Sequence, residues 1–312
     1  MEKDYSKLPA PASVRTPSAR AESIVHTTIY MLAWILSSNS TILANKWLIS
    51  SGGFGYPILL TCWHLVFSAF ITQILAHTTT LLHSRHSLPI SRRFYLRTIL
   101  PIGLVASGSL VCTNFVYFWL SVAFLQMIKA ATPVVMLFVS WMFGVADPTL
   151  GNVINIIIIA GGVGMASAGE LHFSWIGVAF QFTGILFEAT RVVLIQIMLR
   201  GEGMKMNPMV GLYYYAPVCA VINFLIACVV EIPYLSVAGM TTSGWIMLLF
   251  SAPIAFFLNY TSMALIGKTS GVVMSLAAVF KNILLVMCSV FIWRTKITGI
   301  QLRQPEQSHL PR

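Results

Sequence analysis

Residues 268–293 read KTSGVVMSLAAVFKNILLVMCSVFIW, and from Ser270 to Trp293 the stretch is apolar or small apart from Lys281 and the Asn282 beside it. At about 1.5 Å of helix rise per residue, that is enough to cross a hydrocarbon core of about 30 Å. Lys281 falls at its middle. An ammonium there costs at least ~2.5–3.5 kcal/mol on insertion scales, and from the centre it cannot reach either interface comfortably. It therefore faces a protein interior or a watered cavity where an anion meets it. The nature of that anion decides the function.

The whole chain supports a membrane setting. Of 312 residues, 57% are hydrophobic and only 9% charged, with a mean hydropathy of +0.82. A soluble domain carries about 25% charged residues. The sequence thus predicts an all-α polytopic membrane protein. Its net charge of +10 does not point to nucleic acid, because the basic residues are scattered between apolar spans with no basic, aromatic-interleaved face. Topology and an anionic solute explain it better. The cysteines at 62, 112, 219, 228 and 288 lie within apolar stretches at spacings that suggest neither zinc nor a disulfide framework.

Residues 1–25, rich in Ser, Pro and Ala, read as a disordered cytosolic tail. Its acidic residues argue against an organelle transit peptide, and the first span would itself direct the chain to the endoplasmic reticulum. Apolar spans follow at about 27–50, 57–82, 97–119, 121–143, 151–168, 174–199, 210–231, 243–265 and 270–293, each read as one helix. Arg85, Arg92, Arg93 and Arg97 between spans 2 and 3, with Arg200 and Lys205 between spans 6 and 7, place the amino terminus in the cytosol.

An internal repeat is visible at three places. ILANKWLI (42–49) aligns with ILFEATRVVLI (185–195), setting Lys46 opposite Arg191. Lys129 to Trp141 aligns with Lys281 to Trp293, and Tyr117 with Tyr260. The offsets differ by several residues, but together they favour two five-span halves of opposite topology.

Four cationic residues lie within spans: Lys46, Lys129, Arg191 and Lys281. Glu188 precedes Arg191 by three residues and can pair with it on one helix face, while Glu231 sits at an interface. Three lysines are left with no obvious carboxylate, and an enclosed surplus of positive charge suits phosphate. Each has an alternative: Lys46 can snorkel from near the lumenal end, and Arg191 can be one half of a structural pair. Lys281 has the fewest such explanations. Lys268 and Thr269, in the cytosolic turn before span 9, satisfy the positive-inside preference and also stand at a cavity mouth. Tyr213, Tyr214 and Tyr215 open span 7 as an interfacial belt or as a stacking surface for a nucleobase. Membrane-embedded enzyme chemistry needs paired carboxylates, a His/Ser pair or a metal cluster. His64 is isolated from intramembrane carboxylates and reads as a hydrogen-bonded core residue, so an enzyme is not expected.

GKTSGVVMSLAAVFKNILLV (267–286), AFLQMIKAATPVV (123–135) and the ANK of 44–46 resemble the triose-phosphate/nucleotide-sugar translocator branch of the drug/metabolite transporter superfamily. The Lys-Thr pair at 268–269 is similar to the subgroup named for it, and FEATRVVLIQ (187–196) and GEGMKMNPMVGLYYYAPVCA (201–220) are similar to fungal members. The resemblance covers about residues 26–300. It implies ten helices in two inverted five-helix halves, alternating access, and antiport of a phosphorylated sugar or nucleotide sugar against phosphate or a nucleotide monophosphate. Lys129 matches the family lysine of span 4, and Lys281 that of span 9. Plastid phosphate translocators follow the second lysine with arginine and many Lys-Thr members with aspartate; here Asn282 follows, which weakens triose phosphate as the solute.

The expected organisation is a tail at 1–25, a transporter domain at 26–300 with repeats at about 26–168 and 174–300, and a polar tail at 301–312. The expected solute site is Lys129, Lys281, Arg191, Lys46, Lys268 and Thr269, with no cofactor, no metal and no nucleic-acid partner. The partners are an anionic phosphorylated solute and the lipid bilayer, with a homodimer left open. The Golgi is favoured over the endoplasmic reticulum. The rival is a non-transporting scaffold or receptor on the same fold. Nine spans are visible where ten are expected: KITGIQLRQPEQSHLPR (296–312) is too polar to cross. With nine, the tail bearing Arg294, Lys296, Arg303 and Arg312 would lie in the lumen against the charge preference. The sequence alone therefore suggests an inactive, truncated product.

Overall fold

The computed structural model describes residues 17–88, 90–116, 119–120, 122–129, 131–146, 151, 154, 158, 174–201, 206–236, 239–269, 271–278 and 280–281. Among them, every regular element is helical. Helix α1 runs Pro17–Ser50, α2 Pro57–Thr78, α3 Arg92–Val116 through a π turn at Tyr95–Ile99, α4 Val122–Lys129 and α5 Thr132–Met142. Beyond them lie α6 Trp175–Arg200, α7 Pro208–Val230, α8 Thr242–Lys268, and α9 over 271–278 and 280–281. Five of these, α2, α3, α6, α7 and α8, are long and apolar enough to cross a membrane.

Side-chain caps set several helix starts. Ser91, Ser174 and Thr241 accept from the backbone N–H three residues on, and Asn207 from the one two residues on. Each satisfies an amide that the first turn would otherwise leave bare. Helix α1 is longer than its apolar span. It begins at Pro17, where proline fits the first turn, so residues 17–25 of the expected tail are helical. Polar residues at 37–41, 45 and 46 keep α1 from being as apolar as its neighbours.

The expected single span at 121–143 is two helices, and Pro133 is the reason. It has no N–H for the carbonyl of Lys129, four residues back. The Thr132 hydroxyl donates to that carbonyl instead, at 2.6 Å, and the Ala131 N–H turns back to Ile128 O. Gly151, Ile154 and Ile158 are helical. The rest of the span expected at 151–168, the span from 282 onward and the tail at 301–312 lie outside the described residues.

The helices pack in crosswise pairs: α1 on α8, α2 on α7 and α3 on α6. Lipid tails are as apolar as leucine, so close approach and hydrogen bonds hold such pairs together. Gly184 of α6 lets α3 in, since a Cβ there would meet Cys112 at 3.3 Å, and the Ser109 hydroxyl donates to the Gly184 carbonyl at 3.1 Å. Between α2 and α7, the buried Glu231 accepts from the Ile58 and Leu59 amides at 2.8 and 2.7 Å. Its negative charge caps the positive end of α2. His64 is buried and hydrogen-bonded to Ser251 at 3.0 Å, a core role as expected.

Glu231→Ala should lower stability by about 1.5–3 kcal/mol for each charge-assisted bond lost, and Glu231→Gln, which keeps one acceptor, by less. Thermal midpoints in detergent read both; midpoints equal to the wild type would remove the cap from the account.

Candidate solute site

The intramembrane charges are placed by three elements. Helix α6 carries Glu188 and Arg191 at its middle, one turn apart. The break after α4 leaves Lys129 as the last residue of its helix, and α9 carries Lys281. The Arg191 guanidinium grips Glu188 with two bonds, Nε to Oε2 at 2.9 Å and Nη2 to Oε1. The planar fork of arginine favours that bidentate geometry. The buried Tyr215 of α7 lies within electrostatic range of Arg191. Lys129 and Lys281 both lie within electrostatic range of Glu188, and of each other. The structure thus brings together Lys129, Lys281 and Arg191 from the expected set, with Glu188 among them.

Helix α1 forms the opposite wall, which was not foreseen. Lys281 Nζ donates to Ser38 Oγ at 3.2 Å and stands 5.4 Å from the ring centroid of Trp34. One turn nearer the helix start, the Tyr30 ring lies 5.1 Å from Lys268 Nζ. Residues 30, 34 and 38 are spaced by four and share one face, a stripe about 12 Å long. That spacing was available in the sequence. The stripe pairs each lysine with an aromatic ring, a favourable contact where water is scarce. Ser37 secures the wall through a 3.3 Å hydroxyl contact with Thr261 of α8.

The remaining expected residues lie outside the Lys129, Lys281 and Arg191 cluster. Lys268 is exposed at the end of α8, and the Thr269 hydroxyl next to it donates to Leu265 O at 2.7 Å. Lys46 is exposed near the end of α1, about 12 Å along the helix from Ser38. Tyr213 packs against Tyr214 and lies near Arg85, whereas Tyr215 faces inward to Arg191. Among the described residues, no group of three His, Cys, Asp or Glu could hold a metal. Helix α9 is tied in at its start by the Gly271 N–H, which donates to Gln196 Oε1 of α6 at 2.9 Å.

Apolar helices long enough to cross a bilayer, with cations at mid-span, define a multi-pass membrane protein that holds charge within the membrane. The chain belongs to the Triose-phosphate Transporter family, whose model matches residues 25–302. Two Arabidopsis thaliana proteins described as probable sugar phosphate/phosphate translocators are 34% and 33% identical to it. Each alignment covers 90% of this chain, and 75% and 80% of the relative. The UDP-uronic acid transporter 1 of the same plant is 25% identical, over 90% of this chain and 91% of its own length.

Ser38→Ala removes an orienting bond from Lys281 without removing its charge. It should raise the half-saturating solute concentration about five-fold, the worth of one ordinary hydrogen bond, and leave maximal exchange close to wild type. Counterflow in proteoliposomes measures both.

Proposed function

We propose that the protein is an antiporter exchanging a phosphorylated sugar or nucleotide sugar for phosphate or a nucleotide monophosphate by alternating access. One observation carries this reading: the clustering of Lys129, Lys281 and Arg191 around Glu188, the one carboxylate among them in the described residues. Three cations against one anion leave two positive charges, the complement of a phosphate dianion. The sugar phosphate and nucleotide sugar in the relatives' names are both of this chemistry.

In this reading Lys129 and Lys281 bind the phosphoryl oxygens as point charges, and Arg191, anchored by Glu188, sets the floor of the site. Lys268 and Thr269 receive the solute at the mouth, and Lys46 assists from the far end of α1. The crosswise pairing of α1 with α8 and α3 with α6, about a central α2–α7 pair, is what a two-fold axis exchanging repeats at 26–168 and 174–300 produces. It supports inverted halves that rock about a fixed site. The secretory pathway, and the Golgi within it, is the compartment where such an exchange feeds sugar transfer.

Lys281→Ala should abolish exchange while the protein still folds and reaches its membrane. Lys281→Arg should retain part of it, since charge survives and geometry changes. Full exchange by the alanine variant would make Lys281 a structural residue. Transport should also require a phosphate on the solute; neutral sugars competing as well as their phosphates would count against the whole reading.

A further inference from the structure

We infer that Glu188 sets the charge of the solute the site accepts, beyond anchoring Arg191; this rests on the anion-site reading above. Glu188 lies at the middle of α6, yet 40% of its side chain is accessible while the paired arginine keeps 19%. A carboxylate at mid-helix depth is too costly to leave against hydrocarbon, so its accessible face belongs on the side of the cations of neighbouring elements. Arg191 occupies one bond at each of its oxygens, and an ionised carboxylate has further lone pairs and an undivided charge to present.

A purely structural partner for Arg191 would be satisfied by that fork. Glu188 also lies within electrostatic range of Lys129 and Lys281, so it would subtract one charge from the field that a bound anion feels. The other carboxylate of the described spans, Glu231, is engaged by the α2 amides. Among the described side chains of the spans, Glu188 is therefore the one acidic group facing the lysines. With it ionised, the surplus is two charges and suits a monophosphate dianion. Without it, the surplus is three and suits a more highly charged anion.

Inorganic phosphate and pyrophosphate are the probes, titrated by thermal shift against the full chain in detergent at one slightly alkaline pH and fixed ionic strength. The quantity read is the ratio of the two dissociation constants, phosphate over pyrophosphate. E188Q should raise this ratio about tenfold, as an added charge in a weakly screened site does, and E188D should not. R191Q should lower it, and E188Q/R191Q, which removes one charge of each sign, should restore the wild-type value. The step from R191Q to the double variant isolates Glu188, because no arginine remains for it to hold. A purely structural carboxylate predicts no change at that step, and an unmoved ratio there overturns the inference even where E188Q alone fails to fold. A wild-type chain stabilised by neither probe removes the anion site itself, and this inference with it. Binding with an unmoved ratio removes only the role of Glu188.

Discussion

Positive charge held inside a bundle that lipid surrounds is the constraint on which the rest depends. Lys129, Lys281 and Arg191 cannot face hydrocarbon, so the helices carrying them must turn these residues towards one another. Their mutual repulsion must then be relieved. Glu188 relieves part of it through a two-bond fork to Arg191, and the α1 wall relieves more by giving Lys281 a hydroxyl and an indole face. What is left over is the attraction available to a solute. In the proposed site the cluster is left short of negative charge, which suits reversible binding of an anion.

The sequence made the spans legible because the bilayer imposes a length and a composition on each one. The ends expected for span 6 fall within a residue of α6, and those for span 7 within two of α7. Lys281 was legible for the same reason, as a charge with no cheap alternative. The Glu188–Arg191 pair followed from a spacing of three on one helix. Across helices, sequence says much less. The Trp34–Ser38 contact with Lys281 joins residues over two hundred positions apart, and only the i, i+4 stripe on α1 hinted at it.

The break after Lys129 was legible in principle and was not read. Proline in an apolar run is tolerated in membranes often enough that a continuous span was the natural reading. What decided otherwise was local: the carbonyl left bare by Pro133 has a threonine hydroxyl beside it, so a turn at Ala131 keeps that carbonyl paired. Lys129 consequently projects from a helix end, where its side chain has more directions open to it than in mid-helix. Lys46 was set beside the other cations by its place within span 1 and by the repeat that puts it opposite Arg191, and it is exposed near the end of α1.

The Glu231 cap has a bearing on how such a bundle can move. It fastens α2 to α7, and parting them would leave a carboxylate and two amides without these partners. The α1–α8 seam is joined by weaker polar contacts: the Ser37 and Thr261 hydroxyls meet at 3.3 Å, each with a backbone carbonyl to fall back on, and the Tyr30 ring faces Lys268 at 5.1 Å. If the halves rock as proposed, the seam closed by a charge is the one that costs more to part, and it would serve as the pivot of that motion.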